Sequence, residues 1–253
     1  MPKQNLTEKL LNRKMGSAMS HYRMVDDGDR IALGLSGGKD SWTLLWLLSR
    51  LRLRAPIDFE IYPIFIDPGF EGGPAGVIAD HGRHMGFDVR IEQTDHGKVA
   101  HSEINRENPC FLCSRLRRKR LFEIADELGC RKLALAHNKD DLIETLFLNI
   151  CYGGEISTMV PSQPFFNGDL TVIRPMAYAD EETILAFSRE MAWPIKANPC
   201  PSAGTSKRAE MKQWLGRLYR SNPNIRGNIF HAMHHVKRDY LLNIIPNPPD
   251  RKA

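Results

Sequence analysis

Ile31-Ala32-Leu33-Gly34-Leu35-Ser36-Gly37-Gly38-Lys39-Asp40-Ser41 passes without a break from an apolar run to glycine, lysine, aspartate and serine. The short apolar run Ile31 to Leu35 reads as a buried strand. Leu44, Leu45, Leu47, Leu48 and Leu51 then give a broad apolar face to a helix over residues 40–53. Between the two, a pair of glycines allows a tight turn that presents backbone N–H groups, and the helix start adds the positive end of its dipole. Ser36 and Ser41 can donate hydroxyl hydrogen bonds, Lys39 supplies charge, and Asp40 can hold a magnesium ion. Such a set suits the phosphates of a nucleotide. The spacing is shorter than the loop of kinases and motors, which puts four residues between its first glycine and the Gly-Lys pair.

The alternation continues on both sides. Upstream, residues 5–24 predict an amphipathic helix, with Asn5 and Glu8 as a capping box and Leu11, Met15, Ala18, Met19 and Tyr22 on one stripe. Downstream, a strand over 59–66 ends at Asp67-Pro68-Gly69, and the glycine-rich residues 70–76 predict a mobile loop. A helix near 75–85, a strand near 87–92 and a helix from Pro109 to about 128 follow, the last with Leu121, Ile124, Ala125 and Leu128 as its buried side. Next come a strand at 132–136, a helix at 139–151, a weaker strand at 170–173 and a helix at 180–191. From 206 onward the chain reads as helical and basic, with a proline-rich tail expected to be disordered. The pattern predicts the α/β class: a parallel, doubly wound sheet with helical N- and C-terminal extensions. It divides into an N-terminal helix (1–27), an ATP-binding α/β domain (28–195) and a C-terminal region (196–253). In such sheets ligands sit beyond the carboxyl ends of strands, where the strand order reverses, and the polar candidates of the nucleotide site follow strands.

The chain has 253 residues, 42% hydrophobic and 26% charged. No run reaches the roughly 20 apolar residues of a membrane span. Lys9, Arg13 and Lys14 interrupt the apolar positions of the N-terminus, which excludes a secretory leader, so a cytoplasmic enzyme is expected. The formal charge of +5 is concentrated: residues 1–24 hold five basic and one acidic residue, and residues 207–238 hold eight and one. Residues 114–120 place five basic side chains in seven positions. A polyanion such as RNA would explain these clusters, with Arg115, Arg117, Arg118, Lys207 and Arg208 as contacts.

A second acidic element, His137-Asn138-Lys139-Asp140-Asp141, follows the strand that ends at Ala136. Carboxylates in a first helical turn favour the dipole, and one of Asp140 and Asp141 can also reach the magnesium of ATP, with His137 near the phosphates. Asp67 ends another strand, the place where enzymes that resemble this chain meet the nucleotide. Five cysteines, an odd count, argue against a disulfide framework. Cys110 and Cys113 form a Cys-x-x-Cys at a helix start, and Cys200 stands between two prolines that stiffen its loop. Three thiolates can hold a 4Fe–4S cluster with one iron free of protein ligands; zinc with a fourth ligand is the equal competitor. Cys130 and Cys151 read as buried packing residues.

The loop at 36–41 resembles the PP-loop of ATP pyrophosphatases, whose fold is adenine nucleotide alpha hydrolase-like and which cut ATP between the α and β phosphates. Taken with Cys110-Phe111-Leu112-Cys113-Ser114-Arg115, His137 to Asn149, Tyr152-Gly153-Gly154, Ile173-Arg174-Pro175 and Pro199-Cys200, the chain is similar to the tRNA 2-thiocytidine synthetases from about residue 5 to 240. The resemblance implies ATP-dependent adenylation of C2 of an anticodon-loop cytidine, position 32 in such enzymes, followed by replacement of the oxygen by sulfur. It implies ATP, Mg²⁺ and a 4Fe–4S cluster on Cys110, Cys113 and Cys200 as cofactors. It also implies tRNA and a sulfur donor such as a cysteine desulfurase as partners; a homodimer is the base-rate assembly. The chain departs from the family pattern at Asn138, where members often carry a second histidine, and at Ala203, where some carry another cysteine. The rival readings are a lysidine-synthase-like ligase, which needs no cysteine triad, and a zinc-stabilised RNA-binding module with a vestigial loop.

Overall fold

The computed structural model describes residues 6–103, 105, 108–196, 199–202, 204 and 206–242. The expected capping residue Asn5, Ala203 and the tail from 243 lie outside them. Six strands form one sheet: β1 (Asp29–Gly34), β2 (Phe59–Asp67), β3 (Arg90–Gln93), β4 (Lys132–Ala134), β5 (Ser162–Phe165) and β6 (Leu170–Ile173), in the order β3-β2-β1-β4-β6-β5. All neighbours are parallel except β5, which runs antiparallel to β6 with Pro164 opposite Thr171. The parallel sheet expected from the sequence is present, with one antiparallel strand added at its edge. Ser162-Gln163-Pro164-Phe165 carries no alternating apolar pattern, and its proline is tolerated because an edge strand has one unpaired side.

The helices are α1 (Leu6–His21), α2 (Lys39–Arg52), α3 (Ala75–His84), α4 (His96–Ala100), α5 (Pro109–Glu127), α6 (Lys139–Leu148), α7 (Glu181–Glu190), α8 (Lys207–Ser221) and α9 (Ile225–Ala232). Strand periodicity sorts the core into two layers. Ile31, Leu33 and Phe65 face Leu11 and Met15 of α1, Leu44 and Leu48 of α2, and Phe187 of α7. Ala32, Ile64, Ile66, Leu133 and Val172 face Ile124 and Ala125 of α5. Helices thus cover both faces. The chain forms two compact units, Met1–Lys212 and Gln213–Ala253. The first holds the whole sheet; the second holds the end of α8 and α9.

The topology positions the site. From β1 the chain winds outward through β2 and β3, then returns to lay β4 on the other side of β1. The crevice at that reversal lies beyond the carboxyl ends of β1 and β4, where Leu35–Ser41 and His137–Asp141 emerge. Among the described residues no helix is long and apolar enough to cross a membrane.

Candidate active site

The glycine loop is built as its residue types require. Gly37 adopts φ +79°, a conformation that costs side-chain-bearing residues, and a Cβ there would stand 2.8 Å from Ile78 Cδ1. The loop is then locked by its serines. The backbone N–H and the hydroxyl of Ser36 both lie 3.1 Å from Ser41 Oγ, which itself donates to the Gly38 carbonyl at 3.0 Å. Gly38 N–H donates to Ser36 Oγ at 3.3 Å. Lys39 bridges two carboxylates, Asp40 at 2.9 Å and Glu181 of α7 at 3.0 Å. Burial alone would lower the lysine's pKa, but these two carboxylates outweigh it and raise it, so Lys39 stays charged.

The second element is a capping box. The Asn138 side chain accepts from the N–H groups of Asp140 and Asp141, at 2.9 and 3.2 Å, while Asn138 N–H donates to Asp141 Oδ2 at 2.9 Å. Asn138 Nδ2 also donates to Asp40 Oδ1 at 3.1 Å, tying the start of α6 to the start of α2. Asn138 therefore joins the two halves of the site. The two aspartates divide. Asp140 is buried and accepts from Glu181 N–H at 2.8 Å, so it orients α7. Asp141 lines a cavity of about 290 Å³ together with Ser36, Asp40, Ser41, Arg117 and His137. Burial, with Asp40 and Glu181 nearby, raises its pKa against the opposing pull of the Asn138 amide and Arg208. His137 is pulled down to about 3 by burial and by Arg174, Arg208 and Arg118, so it is neutral near pH 7.

A second cavity, of about 240 Å³, is lined by residues that include Ser36, Gly37, Gly38, Asp67, Arg117, Lys196 and Pro199. Asp67 is buried and accepts from Gly69 N–H at 2.9 Å. Ser36 and Arg117 line both cavities, and Pro199 brings the third-cysteine loop to the rim of the second. Cys110 and Cys113 start α5, where Pro109 occupies the first turn and the Asn108 side chain caps Cys110 and Phe111 N–H. The half-buried Cys113 thiol is pushed up by burial, eased by Arg117, and feels Cys200 and Cys110. Cys200 Sγ lies 3.9 Å from Nε2 of His101, whose Nδ1 faces the Gly97 carbonyl at 2.9 Å and whose Nε2 is 2.7 Å from Ser202 Oγ. Among the described residues no three His, Cys, Asp or Glu side chains stand together as a ligand set for a metal ion.

Cys130 is buried and its thiol is pushed up to about 11, as a packing residue's should be. Cys151 is exposed, contrary to expectation. The helix from 139 does not run on to 151 in α form: Asn149–Gly153 is a π-helical turn ended by Gly154 at φ +68°, and the wider turn faces Cys151 to solvent.

The basic side chains separate in the same way. Arg115 lies over the exposed Phe111 ring and Lys207 over the exposed Tyr152 ring, each 5.7 Å from the centroid. Arg208 turns inward, to Glu144 at 3.2 Å and Thr145 at 3.0 Å, and ties α8 to α6. Glu181, Glu144 and His101 had no sequence signal beyond an acidic first turn at 180–182, since each matters through a partner at least 60 residues away.

The PP-loop domain family matches residues 7–196. The tRNA-cytidine(32) 2-sulfurtransferase of Geobacter sulfurreducens is 39% identical over 243 residues, 95% of each chain. That of Anaeromyxobacter dehalogenans is 42% identical over 93% of this chain and 82% of its own. In fold the chain is similar to the U34-tRNA thiolase NcsA from Methanococcus maripaludis, solved with its [4Fe-4S] cluster, with a TM-score of 0.76 at 24% identity over 90% of this chain and 78% of that one. The first match spans the glycine loop and the acidic element described above, and identity across nearly the full length extends it: the chain belongs to the PP-loop family of tRNA-cytidine(32) 2-sulfurtransferases.

Proposed function

We propose that this chain replaces the C2 oxygen of cytidine 32 in tRNA by sulfur, after adenylating that oxygen with ATP. The observation that carries the reading is the shared wall of two cavities: Ser36 of the phosphate loop and Arg117 of the Cys-x-x-Cys helix line both, and the Cys200 loop reaches one. A nucleotide held by the loop amides and Lys39 would present its α-phosphorus to a base entering beside it. The cytidine O2 attacks that phosphorus and pyrophosphate leaves. The charged Lys39 and the dipole of α2 offset the negative charge that develops, and Asp40 and Asp141 are the groups to hold magnesium on the departing phosphates. A sulfide then adds at C2 and AMP leaves with the electron pair of the C–O bond, so no net oxidation is required. The neutral His137 can donate one hydrogen bond there without adding charge.

The cysteines fit the cofactor. Cys113 is electrostatically coupled to both Cys110 and Cys200, yet the trio is not gathered as ligands of one ion. A 4Fe–4S cluster on these three residues would leave one iron open to carry sulfide. Anaerobic incubation with tRNA, ATP, Mg²⁺ and a sulfide source, followed by nucleoside mass spectrometry, should yield 2-thiocytidine. Lys39→Ala should abolish pyrophosphate release and leave iron content intact; thiolation persisting without ATP would refute the adenylation step.

A further inference from the structure

β4 and β6 are paired with Ala134 opposite Ile173, so the residues that follow them, His137 and Arg174, emerge at neighbouring points of the carboxyl edge. Arg174 is only 6% exposed. Its Nη1 donates to the Val160 carbonyl, but its Nε is sealed from water with no partner. The charge acting on it is a second cation, Arg118, and burial with that repulsion pulls its pKa down to about 10. Arg117 repeats the pattern, with a sealed, unpartnered Nε at the wall it shares with His137. The Nδ1 of His137 is likewise sealed and unpartnered. Among the described residues no carboxylate pairs with Arg117, Arg118 or Arg174.

Arg120, on the same α5, is the contrast: it bonds Glu92, Glu123 and Glu127. Acidic partners were therefore available to this helix and went elsewhere. An exposed arginine needs no partner, but a buried guanidinium facing another cation carries an uncompensated desolvation cost. Its missing partner is an anion. Forked guanidinium donors suit a phosphate group.

We propose that Arg174, Arg117 and Arg118, gathered about His137, form a second phosphate-binding site beside the glycine-loop cradle, with Arg117 on the wall the two share. It rests on the tRNA-thiolation reading for its ligand, a backbone phosphate of the RNA beside the nucleotide being modified. The pyrophosphate released from ATP offers the same chemistry, and the test separates the two sources. Calorimetric titration of the full chain with unmodified tRNA, and separately with inorganic pyrophosphate, is repeated over a salt series. Arg174→Met removes the buried charge at similar length; Arg118→Gln changes an exposed residue and leaves the fold intact. Each should weaken tRNA binding about tenfold and shrink the log–log salt slope by about 0.7–0.9 per lost phosphate contact, with pyrophosphate affinity held within twofold. Arg174→Lys should recover part of the slope.

Loss of pyrophosphate affinity with an unchanged tRNA slope sustains the site and assigns it to the nucleotide. Unchanged binding of both ligands in folded Arg174→Met and in Arg118→Gln overturns it. Wild-type protein that bound no tRNA would instead sink the thiolation reading, while its pyrophosphate titration would still report on the arginines.

Discussion

His137 precedes α6, Glu144 lies within it, and the two titrate in opposite senses. Burial and three arginines pull His137 from 6.5 down to about 3; burial and Asp141 push Glu144 from 4.5 up to about 7 in spite of Arg208. Folded His137 holds a proton less tightly than the unfolded chain, so its contribution to stability is present above about 6.5 and lost as pH falls towards 3. Folded Glu144 holds its proton more tightly, so its contribution is present below about 4.5 and lost as pH rises towards 7. Between about 4.5 and 6.5 the two slopes oppose each other. His137→Gln should therefore make the thermal midpoint fall more steeply, or rise less, with rising pH across that window, and Glu144→Gln should shift the slope the other way. Equal slopes in both variants would contradict this account. Neither shift was visible in the sequence, because each arises first from burial, which only the folded chain creates. The candidates read from local chemistry lie close together: Lys39 pairs with Asp40, Ser36 with Ser41, and Ser36, Asp40, Ser41 and Asp141 line one cavity.

Elements were legible where their period was strong. The strand ending at Leu35, α2, α5 and the strand before Asp67 fall within a residue or two of expectation, since buried leucines and branched residues set their faces. The five-residue α4 and the edge strand β5 were missed, being too short and too polar to show a period. The loop that matters most depends on one glycine. Gly37→Ala meets both a positive φ and the Ile78 side chain, so it should cost about 1–2 kcal/mol from conformation alone and weaken ATP binding. Ile78→Val should relieve only the steric part, which calorimetry of the double variant will separate. Asn138→Ala removes the capping box and the bond to Asp40 together. It should lower stability by about 1–2 kcal/mol and reduce ATP turnover more than its stability loss explains. A variant with normal turnover would reduce Asn138 to a plain cap.

At the scale of the molecule, the basic clusters predict tRNA affinity that falls steeply with salt, each neutralised phosphate releasing counterion; a flat response would remove them as the RNA surface. Anaerobically purified protein should be brown and contain iron and sulfide, and Cys110→Ala, Cys113→Ala or Cys200→Ala should bleach it. Colourless protein with stoichiometric zinc would overturn the cluster. The linear chain was enough to reveal the sheet class and the glycine loop between β1 and α2, because hydrophobic period and glycine placement are local properties. It could not reveal that Asp140 serves α7 while Asp141 faces the cavity, that Cys151 is exposed, or that Arg174 is buried with no carboxylate partner among the described residues. Those outcomes depend on which distant group arrives beside each side chain, and folding alone brings β1, β4 and β6 edge to edge.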